Sequence, residues 1–249
     1  MQQGAVYVSL NISQPVRIKQ PLITFLWVCL GIVARAQTAP NLPPRQWAQH
    51  YGGGQVDIPF VIRATSDGGT ILGGYTDSKD GDVSPQPSRD YWDLWVVKLD
   101  KCGNIQWEKS FGGTGYESAR DLAQTADGGY IVLGETNSTD GGVVPGFGGT
   151  KDIWLLKLSA AGALQWQKRY GGNGLDVGNH LEVLSDGSYL IAASSSSNDG
   201  DIHGNHGTGG YTDGVVMQIS AAGVLQWSRC YGGSKNEELF DFRVINNIT

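Results

Sequence analysis

The chain has 249 residues, of which 24 are acidic and 18 are lysine or arginine, so its formal net charge is −6. This acidic balance, without any lysine- and arginine-rich cluster, excludes nucleic acid as an expected partner because a phosphate backbone would be repelled. The three cysteines are too few to predict a disulfide framework.

Residues 1–36 have the pattern of a secretory signal peptide. Arg17 and Lys19 precede the apolar run PLITFLWVCLGIVA, which leads into an A-x-A sequence at 34–36. The run is too short for a stable membrane anchor. The alternative is a buried apolar helix or a retained anchor. Cleavage near Ala36 predicts a secreted or cell-surface protein with no membrane span, and its net charge would be −9 because the leader holds three basic residues and no acidic one.

Residues 37–46 are expected to form a short linker, and from residue 47 the chain repeats itself about every 60 residues. Each period carries a tryptophan, an aromatic-Gly-Gly sequence, an Asp-Gly turn and an Asp-Gly loop, and four markers in the same order identify an internal repeat. The repeats span about 47–106, 107–165 and 166–226, with a partial copy at 227–249.

Each period predicts four β-strands. In the first period, FVIRAT and TILGGYT flank an Asp-Gly-Gly turn, and DLWVVKL and NIQWEKSF follow a long loop rich in Asp, Gly, Ser and Pro. Asp-Gly suits the positive φ of a hairpin turn. The predicted fold class is all-β, a β-propeller of four-stranded antiparallel blades. A β-solenoid and a row of separate sandwich domains are the alternatives, but their units are respectively shorter and longer.

The predicted propeller is incomplete, with about three full blades and two partial ones. A lone fourth strand is expected at 46–51 and a lone first strand near 239–245. Closed propellers have four to eight blades. We therefore expect either a fragment of a longer gene product or self-association through open blade flanks.

The turns LDKCGNIQW, LSAAGALQW and ISAAGVLQW resemble the tryptophan-docking motif of quinoprotein-type propellers. The resemblance implies that a tryptophan on the outer strand of one blade packs against the next blade, where it can bury about 200 Å². The tryptophans at this position are Trp47, Trp107, Trp166 and Trp227.

The whole period, from W-x-[KR]-x-[YF]-G-G through DGGY and DGDV to D-x-W-[LV]-[LV]-K-L, is similar to the repeats of exported Bacteroidetes proteins. Those proteins often end in a type IX secretion sorting domain, and the resemblance covers residues 47–249. It implies secretion and surface display without specifying any chemistry. The third repeat departs from the pattern at Val215 and Gln218, where the earlier repeats have Trp and Lys.

An acidic residue stands four positions after each glycine pair. If these carboxylates ring the mouth of a central channel, they could bind a cation or a polyol on the top face of the propeller. The structural alternative is that each accepts backbone N–H groups of the glycine turn before it, and repetition in every period favours this alternative. The four residues are Asp57, Glu117, Asp176 and Glu237.

The long loops offer weak candidates for a calcium site, because DGDVS and DGDIH place possible ligands at alternate positions. The middle copy, DGGVV, lacks them, and none has the spacing of an EF-hand. Turn formation is the favoured role. The candidates are Asp80, Asp82, Asp199 and Asp201, with His203 and His206 as a further pair in the third loop.

The sequence has no G-x-S-x-G, H-E-x-x-H or P-loop motif, so no catalytic or cofactor-binding residue is predicted. The favoured function is a secreted, non-catalytic binding or surface-display module for glycans or partner proteins. The alternative is part of an extracellular glycoside hydrolase whose catalytic residues lie partly outside this chain. The paired carboxylates of such an enzyme are a spatial feature that a sequence does not reveal.

Overall fold

The computed structural model describes residues 47–84, 91–207 and 209–244. The predicted signal peptide and linker, residues 1–46, lie outside this part of the chain. All regular secondary structure in the described residues is β, in three sheets of four antiparallel strands. The predicted all-β class, with four strands in each period, is confirmed. Among the described residues there is no helix that is long and apolar enough to cross a membrane.

Each sheet corresponds to one sequence repeat, and its strands are neighbours in chain order. Sheet 1 contains β1 (Asp57–Ala64), β2 (Thr70–Thr76), β3 (Asp93–Leu99) and β4 (Ile105–Phe111). Sheet 2 contains β5 (Glu117–Gln124), β6 (Tyr130–Thr136), β7 (Asp152–Leu158) and β8 (Leu164–Tyr170). Sheet 3 contains β9 (Asp176–Val183), β10 (Tyr189–Ser195), β11 (Asp213–Ile219) and β12 (Leu225–Tyr231).

The two middle strands of each sheet form the core. In sheets 1 and 2 every residue of these strands is buried, which explains their nearly continuous apolar sequences, such as DLWVVKL. The fourth strands are only partly buried. The hairpins between first and second strands turn at Asp-Gly, where Gly68 and Gly128 both have a φ of 79°, a conformation that glycine adopts without strain.

The first strands of the three sheets lie side by side. Strand β5 packs against β1, β2 and β3, and β9 packs against β5, β6 and β7. Each first strand has a β-bulge at the same place, which leaves one residue without a partner in the ladder. The bulged residues are Phe60, Arg120 and Asn179. Bulges change the direction of a side chain and are common beside functional sites, so these three positions are candidates for a functional surface.

The tryptophans of the repeat contact the following sheet. The indole Nε1 of Trp107 donates a hydrogen bond to Ala160 O at 3.0 Å, and a Cβ on Gly162 would come within 2.7 Å of the indole ring. The ring of Trp166 lies in the same way against Gly223, and that of Trp47 against Gly103. Trp227 contacts its own sheet, donating to Gln218 Oε1 at 2.6 Å.

The two lone strands predicted at 46–51 and 239–245 are not present in the described parts of these segments, 47–51 and 239–244. A strand requires a backbone partner, and both segments are held by isolated contacts instead. The hydroxyl of Tyr51 donates to Gly103 O at 2.6 Å. The amide of Asn179 donates to Leu239 O at 2.9 Å. The prediction of two partial strands was wrong because sequence similarity to a strand does not supply its neighbour.

Candidate functional site

The acidic residue after each glycine pair is held by its own loop. Glu117 is 1% exposed, and its carboxylate accepts hydrogen bonds from Gly113 N at 3.0 Å and from the hydroxyls of Thr136 and Ser138, both at 2.7 Å. The three equivalent residues, Asp57, Asp176 and Glu237, each accept a glycine N–H at 2.8 Å. Because these contacts occupy the carboxylates, they favour the structural role over a ring of ligands.

The long loops wrap around the same glycine segments. Their aspartates also accept backbone N–H groups, which is the usual use of an Asx side chain in a turn. The bonds join Asp80 to Gly54 N at 2.6 Å, Asp82 to Gly52 N at 3.2 Å, Asp199 to Asn173 N at 2.8 Å and Asp201 to Gly171 N at 3.4 Å. The aspartates considered for calcium therefore contact the chain itself.

The described residues contain no group of three or more His, Cys, Asp or Glu side chains that could hold a metal ion. His206 contacts Asp213, with its Nδ1 at 2.8 Å from Oδ2. The ring of His206 and the side chain of His203 are both exposed, so the two histidines lie in a surface loop.

A buried pair of carboxylates lies behind the glycine segment between sheets 2 and 3. Asp152 and Asp176 are fully buried, and a Cβ on Gly171 would come within 3.0 Å of Asp152 Oδ1 and 2.5 Å of Asp176 Oδ2. Burial raises the pKa of both carboxyls, although the nearby Arg169 opposes this for Asp152. A glycosidic bond could not reach this pair, so it is a poor candidate for the catalytic carboxylates of a hydrolase.

Four exposed aromatic side chains and the buried Tyr75 beneath them form a contiguous cluster near the start of β3 and β5. We call this cluster the aromatic platform and define it as Phe60, Tyr75, Tyr91, Trp92 and Tyr116. Tyr75 stacks on Trp92 with ring centroids 4.5 Å apart. Tyr116 meets Trp92 edge to face at 5.3 Å and Tyr91 at 4.9 Å. Phe60, at 47%, is the most exposed of the five, and Trp92 is 40% exposed.

The backbone of two adjacent sheets brings the platform together. The N–H of Glu117, the first residue of β5, donates to Trp92 O at 2.8 Å, which places Tyr116 beside Trp92. The bulge in β1 leaves Phe60 out of the ladder, and its ring lies 5.7 Å from that of Tyr75. The platform therefore depends on the contact between sheets 1 and 2.

A charged triad adjoins the platform. The guanidinium of Arg120, the bulged residue of β5, lies over the ring of Phe60 at 5.0 Å. It also pairs with Glu135 at 2.9 Å, and Lys151 pairs with the same carboxylate oxygen at 2.6 Å. Burial alone would raise the pKa of Glu135, but the bonds and charges of Lys151 and Arg120 outweigh it and hold the pKa below its usual value. Arg120 and Lys151 remain about one-third exposed.

The platform and the triad were missed by the sequence analysis because they are not repeated. The position of Trp92 in the first repeat is occupied by Lys151 in the second and by Thr212 in the third. The position of Tyr116 in the second repeat is occupied by Leu175 in the third. The signal that could have found the platform was the set of aromatic residues between 60 and 116 that have no aromatic counterpart in the later repeats. Symmetric positions in repeat proteins serve the scaffold, and departures from symmetry mark the functional surface.

No protein-family model matches the chain, and no curated protein matches it significantly.

Proposed function

We propose that the chain is a secreted, non-catalytic binding module of the β-propeller type, and that its aromatic platform binds a glycan. The three sheets are the blades, and their adjacent first strands line the central channel. The observation that carries the proposal is the exposed pair of Trp92 and Tyr116, with Trp92 backed by the buried ring of Tyr75, beside polar groups that can bond to hydroxyls.

Aromatic faces suit a sugar ring because the electron-rich face attracts the weakly positive C–H bonds of a pyranose. A contiguous exposed apolar surface on a soluble protein is a typical binding site. The rings of the platform already rest on one another, so little side-chain entropy is lost when a ligand covers them.

The charged triad supplies the polar half of such a site. The side chains of Arg120 and Lys151 can donate to sugar hydroxyls at the edge of the platform, and one buried oxygen of Glu135, Oε2, has no hydrogen-bond partner in the described chain. Secretion fits the predicted leader at 1–36, and the resemblance to exported repeat proteins is consistent with surface display. A protein ligand would be expected to cover a larger area than this platform offers.

The test is affinity electrophoresis of the full chain through gels that contain one soluble polysaccharide each: xylan, mixed-linkage β-glucan, mannan, pectin or starch. We expect at least one polysaccharide to retard the protein, and Trp92→Ala and Tyr116→Ala each to weaken binding about tenfold, since an aromatic contact contributes up to about 1.5 kcal/mol.

Tyr211→Ala is the matched control. Tyr211 is an aromatic residue of similar exposure, at 38%, in the loop before the third strand of sheet 3, and its loss should leave retardation unchanged. The proposal is wrong if no polysaccharide retards the protein, or if Tyr211→Ala weakens binding as much as Trp92→Ala does.

A further inference from the structure

A cavity of about 390 Å³ lies at the opposite end of the first strands from the platform. It is lined by residues near the ends of β1, β5 and β9 and by Arg243 of the C-terminal segment. Strands rise by about 3.3 Å per residue, so Ala123 in the cavity wall lies about 20 Å along β5 from Tyr116. The cavity is therefore separate from the aromatic platform.

Two of the residues that line the cavity, Arg63 and His180, are held by the buried Asp121, which joins the three first strands. Its carboxylate pairs with Arg63 of β1 at 2.6 Å and with Nδ1 of His180 in β9 at 2.8 Å. It also accepts the backbone N–H groups of Leu122 at 2.9 Å and Leu181 at 3.0 Å. A carboxylate can only accept, so the tautomer of His180 that suits this contact has its proton on Nδ1.

The second ring nitrogen of His180 lacks a hydrogen bond. The side chain is 10% exposed, and its Nε2 is buried without a partner in hydrogen-bonding geometry. It lies 3.2 Å from Oδ1 of Asp241, but the two groups are not aligned as donor and acceptor. In the neutral ring with the proton on Nδ1, Nε2 is an acceptor, so one hydroxyl of a ligand could donate to Nε2 while a neighbouring hydroxyl donates to the carboxylate of Asp241.

The charges around the cavity are paired with one another. Arg63 contacts Asp121, and Arg243 lies 3.3 Å from Glu182 and 3.8 Å from Asp241. A charged ligand would have to compete with one of these pairs. A neutral ligand with several hydroxyl groups can accept from the guanidinium groups and donate to the carboxylates without separating them.

The size and the remaining wall fit a single sugar ring. The volume lies at the lower end of the range for small-molecule sites, and the partly exposed apolar side chains of Ala123 and Val183 offer a surface for the C–H groups of the ring. We propose that this cavity is a second binding site, which takes a neutral polyol of the size of one hexose, with a hydroxyl donating to Nε2 of His180. This site differs from the platform and does not depend on glycan binding there.

The test is proton and nitrogen NMR of the His180 ring in the full chain during titration with D-glucose, D-galactose and D-mannose, and with D-glucuronate and D-glucosamine as charged analogues. We expect at least one neutral hexose to shift the Nε2 signal in a saturable way. Arg63→Gln and Arg243→Gln should each weaken that binding about fivefold, because a hydrogen bond contributes about 1 kcal/mol. The side chain of Arg63 is about half exposed, at 47%, and that of Arg243 is largely exposed, at 72%, and glutamine keeps an N–H donor at each position, so the variants should fold.

Two controls separate this site from other effects. Arg229→Gln alters an exposed arginine that lies over Trp227 and should leave hexose binding unchanged. Trp92→Ala should also leave it unchanged, even where it abolishes retention by a polysaccharide. The inference is overturned if no neutral hexose shifts the ring signal up to about 100 mM, if either charged analogue binds more tightly, or if the two arginine variants bind as the wild type does.

Discussion

Replacement of Trp107 by alanine should lower the free energy of unfolding, because it removes a contact between sheet 1 and sheet 2. The indole ring is partly buried, rests on Gly162 of the following sheet and meets Tyr130 edge to face at 5.7 Å. A fully buried tryptophan removes about 200 Å² from water. Half of that area, at about 25 cal/mol per Å², corresponds to about 2.5 kcal/mol, and the Nε1 bond to Ala160 adds at most about 1 kcal/mol. We expect a loss of about 2.5–3.5 kcal/mol.

The assay is urea unfolding followed by far-ultraviolet circular dichroism, which does not depend on tryptophan emission. Trp227→Ala is the matched control, because Trp227 has the same place in its repeat but, in the part of the chain that the structure describes, its ring contacts Gln218 and Arg229 of its own sheet. Its loss should cost about 1 kcal/mol. If the two variants lose the same free energy of unfolding, the ring of Trp107 does not fasten one sheet to the next.

Three further predictions concern the scaffold and are measured as free energies of unfolding. Glu117→Gln should cost about 2–3 kcal/mol, because the amide cannot accept the glycine N–H and both hydroxyls that the buried carboxylate accepts; an unchanged midpoint would contradict this. Tyr170→Phe should cost about 1 kcal/mol through its lost bond to Gly223 O, a small loss because a phenylalanine, Phe111, stands at the same position in sheet 1. A loss above about 3 kcal/mol would refute it. Lys157 holds the pKa of Asp127 at about 2, so this carboxylate stabilises the fold above its unfolded pKa, and the stabilisation is lost as the pH falls to about 2. Asp127→Asn should therefore reduce the loss of stability between neutral and acid pH, by less than about 1 kcal/mol because the carboxylate is half exposed. The same pH dependence in the variant and the wild type would contradict this prediction.

The strands of this fold could be predicted because their signals are local. Asp-Gly turns and apolar runs such as TILGGYT at 70–76 and DLWVVKL at 93–99 coincide with β2 and β3. Local sequence could not show whether the two lone strands form, because a strand exists only where a neighbouring strand completes its hydrogen bonds. The sequence of 239–244 resembles a first strand, yet it contacts β9 through side chains instead.

The candidate sites were hidden by the repeat itself. The residues that stand out in the sequence, such as Glu117, recur because every sheet needs them to hold its glycine loop. Arg120 and Asn179 look like ordinary strand residues until the register reveals a bulge at each. The distance between Trp92 and Tyr116 in the sequence gives no hint that their rings touch. Contacts between repeats, and not the residue types, define the platform and the cavity.

The central claim is that repeated residues hold the fold while unrepeated residues bind the ligand. Calorimetric titration of folded Trp92→Ala and folded Glu117→Gln, with an oligosaccharide of the polysaccharide that retards the wild type, tests it most directly. We predict that Trp92→Ala loses only about 1 kcal/mol of stability and loses about tenfold in affinity, while Glu117→Gln loses about 2–3 kcal/mol of stability and binds as the wild type does. Equal affinity for Trp92→Ala and the wild type, or loss of binding in folded Glu117→Gln alone, would contradict the claim.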